Sequence, residues 1–319
     1  MGAFVVRRML VIPPVFIAIT LILFVLVRMT PGDPLLMLLD PELTAGRGTE
    51  AAYIEARRTA LGLDRPVTVQ YLVFLGELLR GNLGVSINAQ RPVADMIAER
   101  IGPTVILMGS GMLVALVLGF SIGIVSAMRK NSMVDYAGTG VSLAAVSIPN
   151  FFLGLGAIYV FSLVLGWFPV AGMGPRGASG VHLHYLALPA LILGFNIAGP
   201  LARYVRSGLL EELGRDYVQI ARAKGMSFRR VVVRHAMKNS LIPLITVLSL
   251  WLPALLAGTV LIEQIFAWPG MGTLALSSIR HRDYPVILGF TVVVSVAVLL
   301  ANLIADVLYA IVDPRIRYR

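Results

Sequence analysis

Long uncharged apolar blocks alternate with polar segments along most of the chain. Blocks of about 18 or more apolar residues are typical of membrane helices, because a helix needs about 20 residues to cross the hydrocarbon core. Six stretches fit this pattern: residues 9–27, 101–128, 136–175, 185–202, 239–262 and 284–305. The sequence therefore predicts an all-α integral membrane protein with six transmembrane helices.

The third stretch, residues 136–175, is longer than one membrane helix but too short for two spans and a turn. We interpret it as one helix, bent near Pro149, followed by an outer loop. The first block follows Arg7 and Arg8 and lacks a small-x-small cleavage site. We interpret it as an uncleaved anchor and not as a signal peptide.

Basic residues indicate the side on which each loop lies, because cytoplasmic loops of membrane proteins are enriched in Lys and Arg. With six spans, the predicted inner segments hold 16 of the 27 Lys and Arg residues, and the two short outer loops hold three. Both termini are therefore predicted to be cytoplasmic. The net charge of +10 comes from residues between apolar blocks, which favours this interpretation over nucleic-acid binding.

Composition argues against several kinds of chemistry. Only 14% of the residues are charged, whereas soluble domains have about 25%. The sequence has no cysteine for a disulfide, a thiolate metal site or a catalytic thiol, and none of its three lysines follows a glycine as a phosphate-binding loop requires. His182 and His184 alone do not make a metal site. We predict no catalytic residue and no cofactor in this chain.

The polar segment 29–100 follows the first span, and we predict that it is extracytoplasmic. Residues 49–61 have helical spacing with Thr49 as a candidate N-cap, and residues 66–79 are apolar enough to lie on the membrane surface or on a partner. A helical cap over the outer mouth and a docking surface for a substrate-delivery protein both stay open. The predicted division of the chain is an N-terminus with the first helix (1–28), the outer segment (29–100) and a five-helix core (101–319).

The polar segment 203–238 carries nine Lys and Arg residues. Asp216 is a candidate N-cap for a helix that ends at Gly225, and Ser227 is a candidate N-cap for a second short helix. We predict two short helices at an angle, whose small and basic residues can approach an acidic partner surface. The candidate residues are Asp216, Tyr217, Ala221, Arg222, Ala223, Lys224, Gly225, Arg229 and Arg230. The alternative is a basic loop that only fixes topology or attracts anionic lipid.

The stretches DYVQIARAKG (216–225) and RHAMKNSLIP (234–243) resemble the cytoplasmic loop of permeases in binding-protein-dependent ABC importers. The resemblance is to the B-type subunit of the peptide and nickel branch, where this loop forms a coupling helix that fits a cleft on the ATPase. The family motif is EAA, three residues and Gly. Its positions are occupied here by Gln219, Ile220, Ala221 and Gly225, so Gln and Ile depart from the general pattern.

Further blocks that resemble this family follow in order along nearly the whole chain. They are PGDP (31–34), LGLDRPVTVQY (61–71), GNLGVS (81–86), GWFPVAG (166–172), EQIFAWPGMG (263–272) and DPRIRY (313–318). The resemblance implies a permease of a bacterial inner membrane that forms a pathway for short peptides. It also implies a homologous second permease of the C-type, two ATPase subunits that hold ATP and Mg²⁺, an extracytoplasmic substrate-binding protein and surrounding membrane lipid.

Three other functions are alternatives to peptide import. The same scaffold imports nickel or other small solutes, and the residue pattern leaves this alternative open. An ion-coupled secondary transporter needs carboxylates within the membrane, whereas Glu263 and Asp306 lie at the predicted ends of spans. An intramembrane enzyme needs paired acids or a Ser/His pair within the bilayer, and the predicted spans contain neither.

Few polar residues mark a pathway within the predicted spans. Asn150 and Asn196 are the candidate pathway residues, and Asn302 is a third polar position; helix packing is the favoured alternative for each, because amides also bond between helices. An apolar pathway suits a carrier whose selectivity lies in a separate binding protein.

Aromatic and glycine residues near the span ends suggest packing roles. We expect Trp167, Phe168 and Trp268 to anchor the outer ends of spans at the membrane interface. We expect the glycines at 270 and 272 to permit a tight turn after Pro269. The pair Gly119 and Gly123 is a small-xxx-small pattern, which predicts a close helix contact.

Overall fold

The computed structural model describes residues 2–29, 65–175, 180–232, 236–237 and 259–312. The regular elements in these ranges are helices, with one isolated antiparallel bridge between Val85 and Pro92. Several predictions lie wholly or mostly outside these ranges: the helix over 49–61, the fifth span over 239–262 and the blocks 31–34, 234–243 and 313–318.

The helices in chain order are α1 (Gly2–Met29), α2 (Val67–Leu79), α3 (Val93–Met128), α4 (Met133–Ser147), α5 (Asn150–Ala157), α6 (Leu183–Leu213), α7 (Asp216–Ala223), α8 (Phe228–Val231), α9 (Val260–Ile265), α10 (Met271–Arg280) and α11 (Tyr284–Val312). A π-helix, Ile158–Val164, continues α5. In the described ranges, α1, α3, α6 and α11 are long and apolar enough to cross a membrane, and α4 with α5 and the π-helix makes one bent pair.

The predicted bend near Pro149 is confirmed, but the chain breaks there instead of curving. The two arms of the pair differ in direction by 102°. Ile148 has extended dihedral angles (φ −86°, ψ 122°), as expected for a residue before proline, where the helical region is disfavoured. The third apolar stretch therefore contains two helices and not one bent helix.

Two helices extend beyond their predicted spans. Helix α3 begins at Val93, before the predicted start at 101, and α6 continues to Leu213, well past the predicted end at 202. The extension of α6 reads RYVRSGLLEEL, which is charged but rich in residues that favour helix. Hydropathy marks the part of a helix that lies in hydrocarbon, and water-exposed turns continue beyond it. The first third of the predicted segment 203–238 is thus helix and not loop.

One compact unit comprises Met1–Val6, Arg100–Leu274 and Ala297–Arg319. Its main cluster of buried side chains includes Leu107 of α3, Leu193 of α6 and Phe266. Glycines let α3 and α6 approach closely: a Cβ at Gly119 would lie 2.7 Å from the Leu201 side chain, and one at Gly123 would lie 2.7 Å from the Ala202 carbonyl oxygen. The close contact predicted from this glycine pair is confirmed within the chain.

The second unit comprises Arg7–Glu99 and Ala275–Val296. Helix α2 packs on α1, and the segment that follows it is fixed by the buried Asp283. That carboxylate accepts hydrogen bonds from Ser86 Oγ (2.5 Å) and from the backbone N–H groups of Ile87 (3.1 Å) and Asn88 (3.3 Å). Segment 84–92 is therefore held by side-chain contacts and not only by its bridge.

Candidate functional site

The predicted pair of cytoplasmic helices is present as α7 and α8. Gly225 ends α7 with a φ of +80°, a conformation that favours glycine, and its N–H donates to the Arg222 carbonyl oxygen at 2.9 Å. Asp216 is not the N-cap: Arg215 occupies that position, and Asp216 lies in the first turn. There its charge interacts favourably with the helix dipole. The Ser227 carbonyl oxygen accepts from Val231 N–H at the start of α8.

One face of this pair is closed by apolar packing. Val218 and Ala221 of α7 are buried with Val231 of α8, and Leu213 and Met226 pack against them. Ala221 was expected to leave room for an external surface, but it is used inside the pair instead. Ala223 and Gly225 do lie at the exposed surface.

A second cluster connects the residues after α8 to the C-terminal end of α3. Leu209 of α6, Val232 and Ala236 are buried together with Ala127 of α3. Tyr217 is half-buried, and its hydroxyl hydrogen-bonds to a carboxylate oxygen of Glu212 at 2.6 Å. Displacement of α7 is therefore expected to move the ends of α3 and α6 with it.

The other face of the pair is exposed and basic. Ile220, 57% exposed, has the most open large apolar side chain of α7. Exposed basic residues near it are Arg222, Lys224 and Arg230, and the Arg222 guanidinium lies 5.6 Å from the centre of the Phe228 ring. The side chain of Arg229 is outside the described part. A basic rim beside an apolar residue can accept a partner with an acidic edge and an apolar pocket.

An ion pair joins α4 to α6. Arg206 Nε and Nη2 donate to the two carboxylate oxygens of Asp135 at 2.6 and 2.8 Å, and Asn131 N–H donates to the same carboxylate at 2.9 Å. Because two N–H groups of the guanidinium bond to the two oxygens of one carboxylate, the pair fixes the relative orientation of the two side chains as well as their distance. Sequence reasoning missed the pair, because the two residues are 71 positions apart.

The predicted pathway asparagines occupy different environments. Asn196 Nδ2 donates to the Ala145 carbonyl oxygen at 2.8 Å, so it bridges α6 and α4. Asn150 begins α5, and its Oδ1 is buried without a hydrogen-bond partner among the described residues. Asn302 is exposed on α11. The hydrogen bond of Asn196 connects two packed helices. A role in the pathway stays a prediction for Asn150 and Asn196.

Glu263 forms a buried polar network that the sequence did not predict. Its side chain is fully buried. Thr104 Oγ1 of α3 donates to Oε1 at 2.9 Å, and Thr273 N–H donates to Oε2 at 2.9 Å. Met271 N–H in turn donates to Thr104 Oγ1 at 2.7 Å. One carboxyl group thus connects α3, α9 and the start of α10.

Burial raises the pKa of Glu263, while hydrogen bonds from Thr273, Thr104 and Gly272 act in the opposite direction. The residue follows the fifth predicted span. Its only sequence signal was a charge at the edge of an apolar block, within the EQIFAWPGMG stretch.

Gly270 and Gly272 make room for this carboxyl group. A Cβ at Gly270 would lie 2.4 Å from Glu263 Oε1, and one at Gly272 would lie 2.9 Å from Oε2. Among the described residues after Pro269 in this turn, neither glycine has a positive φ. A tight turn is present at Pro269, where Gly270 N–H donates to the Trp268 carbonyl oxygen at 2.8 Å. It uses no left-handed glycine, and close approach to Glu263 is the reason that glycine fits here.

Trp268 is buried and does not anchor the protein at the membrane interface. Its Nε1–H donates to the Pro103 carbonyl oxygen at 2.9 Å, beside the Glu263 network. The expectation for this tryptophan was wrong, because its N–H finds a partner within the protein. Trp167 is 59% exposed, as an interfacial residue would be, and Phe168 is half-buried near the His184 ring. His182 precedes α6, and His184 lies in its first turn rather than in a loop.

Four described helices of membrane-crossing length, with a basic helical pair after α6, are the features of a multi-pass membrane protein. Its fold is similar to a solved structure described as inward-facing conformations of the MetNI methionine ABC transporter, with a TM-score of 0.54 over 68% of this chain and 96% of that chain. Sequence identity there is 16%, so this likeness concerns the fold.

The chain belongs to the family of binding-protein-dependent transport system inner membrane components. The family profile matches residues 119–318, and the profile of the N-terminal part of such components matches residues 1–108. The Bacillus subtilis oligopeptide transport system permease protein AppB is 41% identical over the full length of both chains. The glutathione transport system permease protein GsiC of Pectobacterium atrosepticum is 39% identical over 98% of each.

These matches confirm the resemblance to B-type permeases of peptide ABC importers. The protein is a permease subunit of an ATP-binding-cassette importer in a bacterial inner membrane.

Proposed function

We propose that this chain carries short peptides across the inner membrane together with a homologous second permease. The observation that supports this cargo is end-to-end similarity, at 41% and 39% identity, to permeases named for oligopeptides and for glutathione, which is itself a tripeptide. An extracytoplasmic binding protein selects the peptide. Two separate ATPase subunits bind ATP and Mg²⁺ and supply the energy.

The exposed face of α7 and α8 is the proposed contact with an ATPase. Ile220 enters an apolar pocket of the partner, and Lys224 and Arg230 pair with acidic residues around it. The packing of Val232, directly after α8, against Ala127 and Leu209 supports a mechanical role, because closely packed side chains transmit displacement. Closure of the ATPases tilts α3 and α6, opens the pathway outward and admits the peptide, as in alternating access.

Cargo and assembly are tested with the complete transporter reconstituted in proteoliposomes. The chain is co-expressed with the neighbouring permease, ATPase and binding-protein genes, and purified through a tag on this chain. Uptake of radiolabelled di-, tri- and pentapeptides is then compared with uptake of Ni²⁺. We expect ATP-dependent uptake of peptides only. Uptake of Ni²⁺ without peptides, or purification of the chain without an ATPase, would contradict the proposal.

The coupling surface is tested by charge reversal at Lys224→Glu with Arg230→Glu. We expect loss of transport and of its stimulation of ATP hydrolysis, because like charges then face the acidic partner. Arg129→Glu is the matched control: it reverses an exposed basic residue at the turn after α3, outside the pair. Equal transport by the double variant and the wild type would show that these charges do not contribute.

A further inference from the structure

Helix α2 is apolar but too short to cross a bilayer. Its 13 residues, Val67–Leu79, span about 20 Å at 1.5 Å per residue, and the hydrocarbon core is about 30 Å thick. The sequence left two positions open for it, on the membrane surface or on a partner protein. Its contacts with α1 indicate how deep in the membrane it lies.

The hydroxyl group of Tyr71, in the middle of α2, reaches the interior of the first span. It donates to the Ile17 carbonyl oxygen at 3.1 Å and lies 3.0 Å from Thr20 Oγ1. The apolar part of α1 runs from Arg7 to Leu26. At 1.5 Å per residue, Thr20 lies about 9 Å and Ile17 about 14 Å inside the Leu26 end of this span. The tyrosine hydroxyl is therefore within the hydrocarbon region.

The contact is not limited to one long side chain. The Phe24 ring lies 5.6 Å from the Tyr71 ring and 5.8 Å from the Phe74 ring, measured between centroids. Phe24 is itself inside the span, and Phe74 is one turn further along α2. The body of α2 therefore packs beside the C-terminal half of the span, below the level at which the span ends.

Polar groups of α2 are arranged as hydrocarbon requires. Gln70 Nε2 donates to the Arg65 carbonyl oxygen at 2.7 Å, and the Tyr71 hydroxyl donates to α1. Polar side chains in the middle of α2 thus have partners inside the protein. Charges occur at its two ends, where Arg65 precedes the helix and Arg80 pairs with Glu77 at 3.0 Å. Because Tyr71 contacts Ile17 and Phe74 lies beside Phe24, α2 runs toward the Leu26 end of α1, so the end with Arg80 and Glu77 is the one that reaches the headgroups.

We propose that α2 is embedded in one leaflet, with its open apolar side against lipid acyl chains. The leaflet is the one that holds the C-terminal end of α1, which is the outer leaflet in the predicted topology. Leu72 is 64% exposed at the centre of this side, with Val67, Val73 and Leu79 also open. Lipid is the occupant because α2 continues the surface of α1, a span of which only 6% is buried in the protein.

The test uses single-cysteine variants of this chain, which has no cysteine of its own. The assembled transporter, with cysteine-free partners, is placed in bilayers of phosphatidylethanolamine and phosphatidylglycerol. A nitroxide at Leu72→Cys is compared with Ile22→Cys on the exposed side of α1 and with Ala89→Cys in the exposed segment after α2. Collision rates with oxygen, which partitions into lipid, and with a water-soluble nickel chelate are measured for each.

We expect the label at Leu72 to match the one at Ile22, with frequent oxygen collisions, rare nickel collisions and a depth of about 5–10 Å below the headgroup boundary. The label at Ala89 should show the reverse ratio. A Leu72 label dominated by nickel collisions would place α2 in water. A Leu72 label that collides rarely with both oxygen and the nickel chelate would place α2 against a protein. Either result would overturn the proposal, and neither depends on the identity of the cargo.

Discussion

The hydrogen bond between Thr104 and Glu263 gives the sharpest test of the buried network. Thr104→Val keeps the shape of the side chain but removes the hydroxyl group. The change removes the hydroxyl group that donates to the Glu263 carboxyl group. It also leaves Met271 N–H, which donates to Thr104 Oγ1 in the wild type, without an acceptor. Glu263→Gln removes the charge at the other end of the same bond, and the double variant closes a thermodynamic cycle.

The expected coupling energy follows from the charge on the acceptor. A hydrogen bond to a charged group contributes about 1.5–3 kcal/mol, and a buried unsatisfied N–H destabilises by about 1–3 kcal/mol. Thr104→Val should therefore lower the free energy of unfolding by about 2.5–6 kcal/mol. Hydrogen bonds between helices of membrane proteins average only about 0.6 kcal/mol in double-mutant cycles. We expect a coupling energy above about 1.5 kcal/mol, because this acceptor is a fully buried carboxyl group.

The assay is equilibrium unfolding of the purified chain in mixed micelles, followed by far-ultraviolet circular dichroism at alkaline pH, which favours the ionised carboxyl group. Thr104→Ser, which keeps the hydroxyl group, should recover most of the stability. Thr291→Val is the matched control, because the Thr291 hydroxyl bonds to the Ile287 carbonyl oxygen within its own helix. A coupling energy of about 0.6 kcal/mol or less would refute the reasoning and reduce the network to an ordinary interhelical contact.

Three further changes follow from the same unit. Because burial raises the pKa of Glu263, the stability of the wild type relative to Glu263→Gln should be greatest below about pH 4.3 and should fall as pH rises through the raised pKa; equal pH profiles would contradict this. Gly123→Ala should destabilise by about 1–3 kcal/mol in the same unfolding assay, since its Cβ meets backbone, whereas Gly140→Ala, which meets nothing within 4 Å, should not. Trp268→Phe should destabilise by about 1 kcal/mol through the lost bond to Pro103, and a neutral result would show that water replaces it.

Local backbone chemistry explains the predictions that were confirmed. Gly225 ends α7 and Pro149 interrupts the third apolar stretch because each residue restricts or permits dihedral angles regardless of its neighbours. The glycine pair on α3 was also readable, since small residues four positions apart make one open strip on a helix. The family resemblance gave the function, which none of these local features could have given.

Long-range contacts explain what the sequence could not provide. Thr104 and Glu263 are 159 positions apart, and no spacing relates them. The burial of Ala221 and Trp268 also depends on contacts that the sequence does not show. Residue type indicates that a small or aromatic side chain can be buried, but the neighbouring helix decides whether it is. Hydropathy likewise located α6 but not its end at Leu213, because the helix continues where the hydrocarbon stops.

The length of α6 also sets the distance between α7 and the bilayer. Its 31 residues extend over about 46 Å, and the predicted span ends at 202, so residues 203–213 act as a spacer of about 16 Å. The headgroup layer on each side is only about 5–8 Å thick. For a helix near the membrane normal, α7 therefore begins beyond the lipid headgroups, in bulk water. A soluble protein that binds there needs no membrane-binding surface of its own.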